Sequence, residues 1–215
     1  MKTFFTCFLV FLLSLLAATA QRLDKFANSG MSYTLIKTLY GIIPTKNIAS
    51  APIKDTVNYF VFLWLPDSVN EISVRLISPV PPLTSPNKGD KITEDYQDPP
   101  DTSYKKYFDP EVRLEKSTNA SAPEDAFQKT GLLWKRLGYN DNSSELPAQP
   151  SGEKNNSRLM VVTDKKKNIR LTAGLYRVRF RAHTEKNPEG TFMMQVGVRE
   201  MVPGIKLFRR AEELQ

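Results

Sequence analysis

Apolar positions recur with period two in the second quarter and the final third of the chain, the mark of strands that bury one face. Ile72, Val74 and Leu76 alternate with Glu71, Ser73 and Arg75. Tyr176, Val178, Phe180 and Ala182 alternate with Arg177, Arg179 and Arg181. Phe192, Met194, Val196 and Val198 repeat the pattern after the turn signal Asn187-Pro188-Glu189-Gly190. The run Asn58–Leu65, closed by Pro66-Asp67, is apolar at both parities. It predicts a central strand covered on both faces, because exposing one large apolar side chain forfeits about 1.5–3 kcal/mol. Residues 71–77 are expected to pair back on this strand, and 175–182 to form a hairpin with 191–198. Shorter β-rich runs lie at 33–36, 39–43, 159–163 and 169–171, the last two flanking the charged turn Asp164-Lys165-Lys166-Lys167-Asn168.

Other stretches lack this alternation. Pro79, Pro81, Pro82, Pro86, Pro99, Pro100 and Pro110 remove backbone donors, so 79–110 is expected to be a long irregular insertion. Ser121-Ala122-Pro123-Glu124 has the form of a capping box. Phe127, Leu133, Trp134 and Leu137 follow at roughly helical spacing before Gly138, which predicts one short helix with Gly131 as its weak point. Residues 138–158 are rich in Asn, Ser, Pro and Glu and predict a flexible loop; the polar stretch up to Gly30 is expected to be mobile. Together these elements predict a mainly β protein. The expected architecture is an antiparallel two-layer β-sandwich, Ig-like or Greek-key, with one short helix and a long Pro-rich loop.

The beginning of the chain changes the picture from fold to compartment. Lys2 precedes an apolar run from Phe4 to Leu16, and Ala18-Thr19-Ala20 is a small-x-small cleavage pattern. The run is shorter than the roughly 20 residues a spanning helix needs, so residues 1–20 read as a signal peptide. Residues 21–215 read as a single exported domain, with no transmembrane segment expected in the mature chain. Cys7 is the sole cysteine, and it would leave with the leader. A thiol-free exported domain must rely on buried apolar surface and sheet hydrogen bonds, which favours a bacterial or organellar export route. Loss of Lys2 brings the formal charge from +7 to +6. That excess suits an acidic protein, a polysaccharide or an anionic lipid surface as partner, while export argues against nucleic acid.

Candidate chemistry is sparse. Arg177, Arg179 and Arg181 place three guanidinium groups on one side of one strand, where their forks would suit phosphate, sulfate or carboxylate. His183 is the sole histidine and lies at the end of that strand, with no Gly-x-Ser-x-Gly elbow anywhere in the chain. Without thiols, Cys/His zinc sites and cysteine nucleophiles are excluded for the mature chain. Glu94, Asp95, Asp98 and Asp101 form an acidic cluster that lacks the regular calcium-loop spacing, and no cofactor or catalytic residue is expected. Asn119, Asn142 and Asn155 stand in glycosylation sequons that would matter only in a eukaryotic source.

The leader, the step Leu65-Pro66 and the stretch Gly174-Leu175-Tyr176-Arg177-Val178 through Asn187-Pro188-Glu189-Gly190-Thr191-Phe192 resemble an exported cyanobacterial family of unknown function. The resemblance covers 57–77 and 168–208. It implies a sandwich-like domain whose N-P-x-G turn joins two late strands, and it implies no activity. The resulting expectation is a non-enzymatic binding or structural module of the envelope, periplasm, thylakoid lumen or extracellular space. Two alternatives stand beside it: a carboxylate-dependent hydrolase, and an assembly or chaperone-like factor that lends a strand to its partner.

Overall fold

The computed structural model describes residues 25–45, 48–53, 56–80, 90, 106–183 and 188–214. The leader, the acidic cluster at 94–101 and most of the Pro-rich insertion lie outside them. Eleven strands are described: β1 (Lys25–Asn28), β2 (Met31–Ile43), β3 (Ala49–Ile53), β4 (Thr56–Leu65), β5 (Glu71–Ile77), β6 (Pro110–Ser117), β7 (Trp134–Asn140), β8 (Ser157–Val162), β9 (Gly174–Ala182), β10 (Gly190–Val198) and β11 (Lys206–Phe208). One sheet has the order β1-β2-β10-β5-β8. The other has the order β11-β4-β9-β6-β7, with β3 added beside β4. The two antiparallel sheets form the sandwich that the alternation predicts.

The core is what period two prescribes. Ile72, Val74, Leu76, Phe192, Met194, Val196 and Val198 of the first sheet face Tyr59, Val61, Leu63, Leu65, Val112, Leu114, Tyr176, Val178 and Phe180 of the second. The double-sided character of β4 also has its explanation. Its other parity, Phe60 and Phe62, packs with Leu175 and Phe208 in a second cluster on the outer face, covered by Phe127 and Trp134. Within it the Phe62 ring lies 5.8 Å from Phe208 and meets Phe127 edge-on at 5.2 Å, a favoured geometry for aromatic pairs.

Pairing departs from sequence adjacency. β5 does not return along β4, and β9 and β10 form no hairpin, because the chain crosses from one sheet to the other at both connections. Alternation fixes which side chains face inward but is blind to which layer a strand joins. The helix expected before Gly138 shrinks to α1 (Asp125–Gln128). Gly131 sits at φ 71°, a left-handed conformation that ends any helix there. Trp134 and Leu137 belong instead to β7, so the loop expected at 138–158 starts only after Asn140. Runs 33–36 and 39–43 merge into the single strand β2. Residues 25–28, expected to be mobile, pair with it as β1. Residues 169–171 form no strand; Ile169 closes the Lys165–Lys167 turn through a single bridge to Asp164. No helix among the described residues is long and apolar enough to cross a membrane.

Candidate functional site

Polar chemistry concentrates on the outer face of the second sheet, where β6 and β9 run side by side. Their register sets Glu111 opposite Arg181, Arg113 opposite Arg179 and Glu115 opposite Arg177. Arg177 and Arg181 therefore face carboxylates across the ladder, while Arg179 stands opposite Arg113. Arg181 donates Nε and Nη2 to Glu111 Oε2 at 2.9 and 2.7 Å. Arg113 donates Nε to Glu111 Oε1 at 2.7 Å from the other side. Arg177 Nε reaches Glu115 Oε2 at 2.6 Å, and its guanidinium lies between the rings of Trp134 (4.1 Å) and Phe60 (4.6 Å). Arg179 donates to Asn58 Oδ1 at 2.7 Å, with Glu115 Oε1 at 3.7 Å.

Burial and charge compete in this ladder. Burial works to raise the Glu111 pKa, but hydrogen bonds and charges from Arg181 and Arg113 outweigh it and hold the carboxyl below its ordinary value. Burial lowers the pKa of Arg177, against the pull of Glu115. His183 closes the row, with Nδ1 3.5 Å from Glu111 and 3.9 Å from Asp141. Beneath it Asp109 is pushed upward, mainly by burial, and its Oδ1 is buried with no hydrogen-bond partner. Sequence reasoning missed β6 altogether, although Glu111, Arg113 and Glu115 alternate with Val112 and Leu114 in the pattern used elsewhere.

Exposed cations gather at another place, the sandwich edge formed by β7 and β8. Here a groove of about 710 Å³ is lined by Gly138 and Tyr139 of β7, by residues 159–162 of β8 and by the Lys165–Lys167 turn. Val162 is 50% exposed and Tyr139 39%. Lys135, Arg136, Lys165, Lys166, Lys167 and Arg170 are exposed around it. Asp164 uses Oδ1 to accept the Lys166 and Lys167 amides, which shapes the turn that carries the lysines.

The remaining sequence candidates fall apart spatially. Asn119 is tied into its own loop, donating to the Gly131 carbonyl at 3.1 Å and accepting the Leu133 amide at 3.0 Å. Asn142 is exposed, and Asn155 donates to Glu153 at 3.1 Å. Among the described residues no group of three or more His, Cys, Asp or Glu is placed to hold a metal ion.

The family of surface lipoproteins of the Spirochaetales order called Lipl32 matches residues 27–207, and the chain belongs to that family. This match runs through nearly the whole sandwich and overturns the resemblance to a cyanobacterial family; it lends no support to the periplasm or the thylakoid lumen as a location. The family points to an exported, cell-surface protein. No curated protein matches the chain.

Proposed function

We propose that this chain serves at the cell surface as a non-catalytic binding module that engages acidic partners through the cationic edge at β7 and β8. The carrying observation is the division of its positive charge. Arg177, Arg179 and Arg181 have Glu111, Glu115 and Asn58 as internal partners, whereas Lys165, Lys166, Arg136 and Arg170 are exposed with no carboxylate partner among the described residues. A free cationic field raises the encounter rate with anionic surfaces and adds affinity that salt weakens. Guanidinium groups already held by carboxylates contribute little to either, so the contact surface shifts from the arginine row to the edge.

Two measurements test this. Protease treatment of intact cells should degrade the protein, and its protection would overturn surface exposure. The exported protein should be retained on an acidic protein matrix at low ionic strength. Retention should fall in a K165E/K166E/K167E variant and stay unchanged in R179M; the opposite result would return the contact to the arginine row. The same reading has the leader removed after Ala20, taking Cys7 with it. Intact mass should therefore show a chain starting at Gln21, and a species that keeps Cys7, acylated or not, would overturn that cleavage.

A further inference from the structure

β8 closes its sheet, and among the described residues no strand pairs with its outer side; hydrogen-bond parity shows which residues face outward. Thr163 N donates to Asn70 O at 2.9 Å, and the β5–β8 register places Val162 opposite Glu71 and Met160 opposite Ser73. In an antiparallel ladder, hydrogen-bonded and non-hydrogen-bonded pairs alternate. Val161 and Leu159 therefore bond to β5, while Val162, Met160 and Arg158 turn their N–H and C=O groups to the open side. The Arg158 amide confirms the parity, since it donates away from β5 to Asn140 Oδ1 at 3.1 Å. Asn140 thus plugs one end of the edge, and the groove leaves Met160 and Val162 open beyond it.

Protected edges carry a charge, a proline or a bulge. Of the outward positions, Arg158 carries a charge but stands at the plugged end and is paired with Glu145, while beyond it β8 offers Met160 and a half-exposed Val162, and no register shift interrupts its pairing with β5. The lysines stand beyond the strand, in the turn that caps the groove. Their like charge disfavours a second copy of this basic chain and attracts an acidic segment. We propose that the open edge of β8 receives an extended acidic segment of a partner protein as an added strand. Its main chain pairs with Met160 and Val162, and its carboxylates reach Lys165 and Lys166. This deepens the proposed binding role and rests on it.

The test uses a fluorescent peptide of alternating Val and Glu, with a Val/Lys peptide as control, titrated against the exported protein at low salt and followed by anisotropy. The Val/Glu peptide should bind and the Val/Lys peptide should not. Val162→Pro removes an amide that makes no bond to β5, a substitution edge strands tolerate. It should weaken binding at least about tenfold while leaving the melting temperature within a few degrees. N-methylation of alternate amides in the peptide should weaken binding equally, and that readout does not depend on how the variant folds. Absence of binding, equal binding of the N-methylated peptide, or an unchanged affinity of a folded V162P protein would overturn strand addition. So would an anionic vesicle or acidic oligosaccharide that competes fully and is equally sensitive to V162P. If K165E/K166E/K167E still abolishes retention on an acidic matrix while V162P changes nothing, the electrostatic role stands and the added strand falls.

Discussion

Replacing Glu111 with glutamine removes a buried negative charge near one end of the β6–β9 ladder while preserving the side chain's shape. Glu111 is 2% exposed and receives both Arg113 and Arg181 at 2.7 Å. Removing one partner of a buried ion pair costs about 3–5 kcal/mol, because the other charge is left uncompensated. Here the two arginines retain 22% and 24% side-chain exposure, so water recovers part of the loss. The lower end, about 3 kcal/mol, is expected at pH 7. In a chain of this size that lowers the melting temperature by about 6–12 °C. Urea unfolding of wild type and E111Q, repeated across pH, is the assay. The folded-state pKa of Glu111 lies below its ordinary value of 4.5. Its contribution is therefore complete above the unfolded-state value and disappears as pH falls through the folded value. The gap between the two proteins should stay constant above about pH 5 and close as the solution is acidified below 4.5. A gap under about 1 kcal/mol at pH 7, or one that ignores pH, would refute the view that the ladder is held by compensated charge.

Asp109 should behave in the opposite sense. Its folded-state pKa is raised, mainly by burial, so its ionised form destabilises the protein at neutral pH and that penalty is relieved on acidification. Asp109→Asn should stabilise by about 1 kcal/mol, seen as a higher melting temperature at pH 7 and a smaller advantage at low pH. At the open edge, a Cβ added to Gly138 would meet Val161 Cγ2 at 2.6 Å and Leu159 Cδ1 at 3.0 Å. Gly138→Ala should cost about 1–3 kcal/mol through overpacking, and pairing it with Val161→Ala should restore part of that loss; strictly additive costs in urea unfolding would show the contact to be unimportant.

Much of the fold was legible in particular residues. The alternation in 71–77, 175–182 and 191–198 places the core side chains correctly, and the two-sided run at 58–65 announces a strand covered twice. The same logic misread 121–137, where Phe127 and Trp134 share one aromatic cluster but reach it from α1 and from β7. Spacing along the chain cannot distinguish side chains that meet on one helix face from side chains that meet after a reversal. Gly131, with its positive φ, marks that reversal.

Residue order alone determined which positions are greasy, which strands exist in the clearest stretches, and that a chain with one cysteine holds together without an internal disulfide. These are local properties, set by side-chain chemistry and the two-residue repeat of an extended backbone. Tertiary structure decided partnership. It sent β4 and β5, and then β9 and β10, into opposite layers, set Glu111 and Glu115 against the arginines of β9, and left β8 with an open side. Coulombic attraction and backbone hydrogen bonding depend on distances across strands, and residues far apart in the chain acquire those distances only when the sheets assemble.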